Sequence, residues 1–240
     1  MARLPRLEFP SLPHLVVQAV LPGQVLAVDA QDGQALHAAL REAARAHGVT
    51  VHAYALLPDR FLLLATPSQA GALSPFMQAV GRRYVAGFNR RHGRQGGLWA
   101  GRYRATVLEP ARYLLEAMAF IELAPWRMGL VDAPVSSSQA VPSSLAHHLG
   151  QRTDPLVQDH AIFWTLGNTP FDREAAWKRR LEEGQGAQLV SSLAEAAHTG
   201  WALGDAGFLA KLQGQSGRRV VPQPHGRPRK IVAQAQDAGA

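Results

Sequence analysis

The sequence predicts an α+β fold: a ferredoxin-like antiparallel sheet with helices packed on it, a small helical C-terminal extension, and a basic tail. Three observations carry this. Val51 to Leu57 and Phe61 to Thr66 are apolar runs joined by the tight connection Pro58-Asp59-Arg60, which reads as a strand hairpin. The hairpin lies between two segments with helical spacing. The order over residues 1–131 is strand, helix, strand, strand, helix, strand, helix, which suits an antiparallel sheet covered by helices.

The elements follow in order. His14 to Val20 is a short apolar run between Pro13 and Pro22-Gly23, as for a buried strand. Asp32 is read as the cap of a helix running to His47, with Leu36, Leu40, Ala43 and Ala44 as its stripe and Gly48 as its stop. After the hairpin, Ser74-Pro75 is a helix-start signal. Phe76, Val80, Tyr84 and Phe88 then recur at fourfold spacing up to Gly93. Leu98 to Leu108 reads as extended. Pro110 opens a helix packed through Tyr113, Leu114, Ala117 and Ile121, ended by Pro125. Residues 132–156 shift to Pro, Ser, Ala and His, a linker or loosely packed excursion. Residues 157–216 form the helical extension. Thr169-Pro170-Phe171-Asp172 is a capping signature, Gln188 to Thr199 a second helix, and Asp205 the start of a third. Residues 217–240 form a basic, low-complexity tail, expected to be disordered.

Composition narrows the partners. The 240 residues are 47% hydrophobic and 18% charged, enough for a core and too little charge for a disordered chain. Lys plus Arg exceed Asp plus Glu by 25 to 18, and only Lys178, Lys211 and Lys230 are lysine. Arginine offers a planar fork of donors for phosphate and base edges, so nucleic acid is the expected partner; a high-GC genome produces the same bias without function. With no cysteine, disulfides, thiolate nucleophiles and cysteine zinc sites are excluded. No stretch approaches the ~20 apolar residues of a membrane span, and Met1 to Arg6 lacks a signal-peptide core. A soluble, cytoplasmic protein is expected.

Arg82, Arg83, Arg90, Arg91, Arg94, Arg102 and Arg104 are the candidates for phosphate contact. Trp99 and Tyr103 lie among them, and rings interleaved with arginine suit stacking on unpaired bases. Arg90, Arg91 and Arg94 also suit a helix C-terminus electrostatically. Gly226-Arg227-Pro228-Arg229, followed by Lys230, resembles the core of an AT-hook, an extended Arg-Pro segment suited to a narrow minor groove. His52, Asp59 and Glu122 fit no metal-ligand spacing, and His147, His148 and His160 read as solvated or capping histidines. Gln188 to Gln213 could form a helix–turn–helix, but its second helix holds little positive charge besides Lys211.

Several strings resemble one family. His52-Ala53-Tyr54-Ala55-Leu56-Leu57-Pro58, Phe88-Asn89-Arg90-Arg91-His92-Gly93-Arg94, Leu98-Trp99 with Gly101-Arg102-Tyr103, and Ile121-Glu122-Leu123 with Pro125 and Gly129-Leu130-Val131 resemble REP-associated tyrosine transposases. These are bacterial relatives of the single-tyrosine HUH transposases of insertion sequences. Gly200-Trp201-Ala202-Leu203-Gly204 and Gly226-Arg227-Pro228-Arg229-Lys230 resemble one branch of that family. The resemblance implies a ferredoxin-like domain, DNA as partner (single-stranded or hairpin), frequent homodimers, and a cytoplasmic, nucleoid-associated location. In active members a histidine–hydrophobic–histidine pair binds a divalent metal, Mg or Mn, which polarises the scissile phosphate. A tyrosine on a following helix forms a phosphotyrosine link.

The residues at those positions here differ. The family string Leu-Met-Pro-Asn-His-x-His-Leu-Leu corresponds to Leu56 through Leu64, so Arg60 and Leu62 replace both histidines. Arginine does not deprotonate to bind metal and leucine has no donor atom. The family's Tyr-Ile-x-Leu-Asn-Pro corresponds to Phe120 through Pro125, so Phe120 replaces the nucleophile and Ala124 the asparagine. The Arg-Gly-Asn usual after the first strand is absent from residues 19–23, and Ala100 replaces a common glutamate. The expectation is a DNA-binding member of the transposase family that is catalytically inactive and needs no cofactor. The alternatives are an active metal-dependent strand transferase or nuclease with a rearranged site, or a non-functional relic. Tyr84 is the substitute nucleophile of the rearranged reading, and its place on the Phe76, Val80, Phe88 stripe reads as core.

Overall fold

The computed structural model describes residues 6–136 and 141–223. Arg227, Arg229 and Lys230 of the expected basic tail lie outside the described residues. The elements are β1 (His14–Ala19), α1 (Ala30–His47), β2 (Val49–Leu57), β3 (Arg60–Pro67), α2 (Leu73–Arg91), β4 (Arg104–Val107) and α3 (Pro110–Glu122). After them come α4 (Ala124–Arg127), α5 (Leu145–His148), α6 (Ala161–Trp164), α7 (Pro170–Glu183), α8 (Ala187–Thr199) and α9 (Ala206–Gln215). The four strands make one antiparallel sheet in the order β2-β3-β1-β4. This is the expected ferredoxin-like arrangement.

Alternation along the strands divides the core between the two faces. Phe61, Leu63 and Ala65 of β3 pack with Leu36 and Leu40 of α1 and Phe76 and Val80 of α2. Leu62 and Leu64 pack with Leu114, Phe120 and Ile121 of α3. In β2 the register shifts between Val51 and Ala53, leaving His52 as a bulge. The extra residue moves Val51 onto the α1–α2 face with Tyr54 and Leu56, while Ala53, Ala55 and Leu57 face α3.

Several boundaries differ from expectation for identifiable reasons. Asp29, not Asp32, caps α1, accepting from the amides of Gln31 (3.0 Å) and Asp32 (3.1 Å). Asp32 lies inside the first turn, where its buried carboxylate accepts from the Val28 amide at 2.9 Å. Helix α2 starts at Leu73 without a local side-chain cap. The Leu73 amide is met instead by the Glu8 carboxylate at 2.9 Å, a remote anion at a helix N-terminus. The extended stretch 98–108 narrows to β4, with a bridge from Trp99 to Val20 before it and one from Leu108 to Leu203 after it, and Gly101 at φ +120° lies between Trp99 and β4. Pro125 sits inside α4 rather than ending α3. Gly48 stops α1 as expected, at φ +61°, and a Cβ there would lie 2.4 Å from Ser68 Oγ.

The C-terminal half completes the sheet. Segment 141–158, which takes in residues 141–156 of the expected linker and the first two residues of the expected helical extension, lies along the outer margin of β2. The Leu56 amide donates to Pro142 O (2.9 Å), the Ser144 amide to Tyr54 O (3.0 Å), and the Gln158 amide to Val51 O (2.9 Å). At the opposite margin Leu203 bridges Leu108, its amide donating to Val107 O at 2.9 Å, and the Thr106 hydroxyl donates to Ala196 O at 2.6 Å. Pro142, Ser144, Gln158 and Leu203 are therefore main-chain partners of the sheet's outer strands.

Glu122, at the end of α3, is 1% exposed. Its carboxylate accepts from the Ser144 hydroxyl, from His148 Nδ1 (2.5 Å) and from Trp177 Nε1 (2.9 Å). Trp177 is fully buried against Phe163 and His148 and belongs to the same apolar cluster as α3. Helix α7, opened by the expected Thr169–Asp172 capping box, is thereby joined to the sheet's core.

We predict that Trp177→Ala costs about 3–5 kcal/mol, the range for truncating a buried large aromatic. Trp177→Phe, which keeps a ring but strips one donor from the buried carboxylate, should cost about 1–3 kcal/mol. Urea unfolding followed by circular dichroism should show one displaced transition. A separate early transition of the C-terminal helices, with the sheet's own midpoint unmoved, would show that the two halves fold apart.

Candidate nucleic-acid interface

The basic–aromatic residues of α2 and the loop before β4 do not all converge. Arg82, Trp99, Arg102 and Tyr103 line one cavity of about 900 Å³ on the α1–α2 face of the sheet. Its floor is apolar, from Phe61, Val80, Val85 and Leu98, and Arg6 and Gln18 also border it. The loop is held there because the Ala100 amide donates to Ala19 O (3.0 Å) and Gln18 Nε2 to Gly101 O (3.2 Å). Arg82 and Arg102 are exposed at the rim.

Trp99 is half-buried. Its indole packs edge-on to Phe61 at 5.8 Å and near-parallel to Tyr84 at 6.2 Å. Gly81 leaves room for it, since a Cβ there would lie 3.1 Å from Trp99 Nε1. Tyr103 is placed differently from the stacking role expected for it. It is 7% exposed, the Arg6 guanidinium covers its ring at 3.8 Å, and its hydroxyl meets Ser74 Oγ at 3.1 Å. A base can reach that ring only by displacing Arg6.

Other arginines of the group have partners within the protein. Arg91 pairs with Asp29 and Asp32, both at 2.5 Å, joining the C-terminus of α2 to the N-terminus of α1. This pairing holds Asp29 well below the usual carboxylate range. Arg83 pairs with Glu42 where both are exposed. Arg94 reaches Asn89 Oδ1 at 3.3 Å and lies over the Phe88 ring. Arg104 donates to His198 O. Arg90 is exposed in the last turn of α2.

Leu62 and Phe120 meet on the opposite, α3 face, both buried in its apolar cluster. The Arg127 guanidinium lies 4.7 Å over the Phe120 ring and donates to its carbonyl. Burial draws Arg127 down to about 10, which leaves it charged at neutral pH. Arg60 is half-exposed at the β2–β3 turn, paired with Asp59 at 2.6 Å. Leucine and phenylalanine offer no ligand atom or hydroxyl at this place, so positions 60, 62 and 120 do not fit a divalent ion or a phosphotyrosine.

Tyr84 is 3% exposed, and its hydroxyl donates to Leu26 O. Burial and the charge of Asp32 push the phenol well above its ordinary value, the reverse of what a nucleophile needs. His52, Asp59 and Glu122 share no site. His52 is tied through Nδ1 to Gln158 O (2.7 Å) and through Nε2 to the Thr66 hydroxyl (2.9 Å), and burial draws it down to about 4. His160 caps α6, its Nδ1 accepting from the Ile162 amide, as expected of a capping histidine. His148, read from sequence as solvated or capping, is instead 2% exposed, because Glu122 requires donors at that depth.

Sequence reasoning missed Arg6 and Gln18 at the groove and the role of Glu122. Arg6 carries no local signal, lying 97 residues from the tyrosine it covers. Glu122 did carry one: it is a lone acid on the buried side of an otherwise apolar helix end.

No family profile and no curated protein matches the sequence. Among solved structures the chain is similar to a REP-associated tyrosine transposase bound to a REP hairpin, with TM-score 0.52 and 13% identity over 68% of this chain and 93% of that one. A protein described as a transposase, from Deinococcus radiodurans R1, aligns with 26% identity over 48% of this chain and 93% of that chain, with TM-score 0.34. The first likeness shows a shared fold.

These geometries separate two kinds of arginine. Arg91→Ala removes the partner of Asp32 Oδ1 and leaves Oδ2 with the Val28 amide and His92, and should cost about 1–3 kcal/mol, the range for losing a charged hydrogen bond. Arg102→Ala, at an exposed rim, should stay within about 0.5 kcal/mol of the parent. Thermal or urea unfolding reads both, and equal effects would contradict the division.

Proposed function

We propose that the chain is a transposase-family protein that binds DNA, single-stranded or hairpin, without cutting it. The observation that carries this reading is the groove where Arg82, Arg102 and the half-buried Trp99 meet over an apolar floor. Unpaired bases have apolar faces and a charged backbone, so a ring flanked by guanidinium groups complements both. The shared fold with a transposase whose structure holds a DNA hairpin supports the same partner. The absence of cutting follows from Leu62 and Phe120, which supply neither metal ligand nor nucleophile, and from the buried, hydrogen-bonded phenol of Tyr84.

Labelled hairpins and single strands should bind, and Arg82→Ala with Arg102→Ala should weaken binding to all sequences. Each lost phosphate contact should shallow the log–log salt slope by roughly 0.7. Trp99→Ala should cost roughly 1–3 kcal/mol of affinity where a base rests on the indole. Equal affinity for hairpin, single strand and heparin, unchanged in the double variant, would leave the protein a folded relic.

Incubation of the same DNA with Mg²⁺ or Mn²⁺ should give no cleavage and no denaturant-resistant adduct. An adduct lost in Tyr84→Phe would establish the rearranged-site reading instead.

A further inference from the structure

We propose that His147, His148 and Asp159 form a binding site for a zinc-class divalent cation, with a fourth position open to an adjoining cavity. Positions 60, 62 and 120 take no part in it. The two histidines end α5, and Asp159 lies in the segment leading to α6.

Distance is the first argument. Each residue offers one donor atom, and the three lie within 4.8 Å of one another. Asp159 Oδ1 is 3.4 Å from His147 Nε2 and 3.6 Å from His148 Nε2. Nitrogen and oxygen ligands about 2.0–2.1 Å from a tetrahedral zinc stand about 3.3 Å apart. The two measured edges are close to that, and longer than hydrogen bonds.

The second argument is an electrostatic mismatch. His148 Nε2 and Asp159 Oδ1 are both buried, and among the described residues neither atom makes a hydrogen bond of good geometry; His147 Nε2 faces Asp159 Oδ1 from 3.4 Å. His148 Nδ1 donates to Glu122 at 2.5 Å, so in the neutral ring Nε2 turns its lone pair toward the Asp159 carboxylate. A cation placed between these two atoms would satisfy both. The carboxylate–histidine pair aimed at that point is the arrangement that orients metal-ligating imidazoles and raises their basicity.

The donor set selects the ion. Two imidazoles and one carboxylate suit zinc, while calcium and magnesium take six or more oxygens. A cavity of about 250 Å³ adjoins the three residues, walled by Arg173 and Glu174, and offers room for a water in the fourth position. His147 must adjust. Its Nδ1 accepts from the Asp154 amide at 3.1 Å, and coordination through Nε2 places a proton on Nδ1 and ends that bond. Amide exchange at Asp154 should therefore quicken when the ion binds.

The test uses the full-length chain, stripped of metal with a chelator, then titrated with Zn²⁺ by calorimetry and with Co²⁺ by visible absorption. One equivalent should bind, Co²⁺ should show the intense visible bands of a tetrahedral site, and Zn²⁺ should raise the Tm. Asp159→Asn and His147→Gln change partly exposed residues, so the fold should persist. Each should lower affinity by about 10–100-fold or more, since even supporting residues of metal sites have that effect. The exposed His198→Gln should change nothing. Absence of saturable binding by the parent chain would overturn the proposal. So would binding that survives unchanged in both site variants.

Discussion

A carboxylate sealed from water has to find donors, and Glu122 finds three, two of them in segment 141–158 and the third in α7. Ser144 belongs to the segment along β2, His148 to α5 and Trp177 to α7. Burying an ionised group without such partners costs several kcal/mol, so the acid at the end of α3 dictates where the C-terminal half docks. Once Ser144 and His148 are fixed, segment 141–158 lies against β2 and Trp177 closes the apolar cluster over α3. The orientation of His148 toward Asp159 follows from the same bond.

The sheet also keeps two kinds of surface apart. The groove with Arg82, Trp99 and Arg102 belongs to the α1–α2 face, while Leu62 and Phe120 fill the α3 face. The apolar side chains at those two positions pack into a continuous core. The excess of arginine has a matching division. Arg91 and Arg104 tie elements together and Arg94 folds back on the end of α2, so net charge alone overstates how much cationic surface faces a partner.

The sheet and its first three helices were legible because their signals are local. The hairpin turn, the fourfold stripe of α2 and the stop at Gly48 each depend on neighbours a few residues away. Boundaries failed where a distant residue intervened: Glu8 serves the N-terminus of α2, which no window around Ser74 could show. Segment 132–156 reads as a loop because serine and proline usually mark loops, whereas the backbone of Pro142 and Ser144 bonds to β2. At the groove, residue types were readable but not their commitments. Tyr103 and Arg91 look free in sequence, and only the fold brings Arg6 and Asp32 to them.

Both margins of the sheet are occupied by the chain itself, β2 by segment 141–158 and β4 by the residues around Leu203. An uncovered strand is a template on which another molecule can add its own backbone. Where these partners sit, on the backbone of Val51, Tyr54, Leu56 and Val107 among the described residues, a second copy finds no free ladder on which to extend the sheet. Any pairing of subunits at these margins must therefore be written in side chains rather than in main-chain hydrogen bonds, which makes it a matter of sequence and open to change by point substitution.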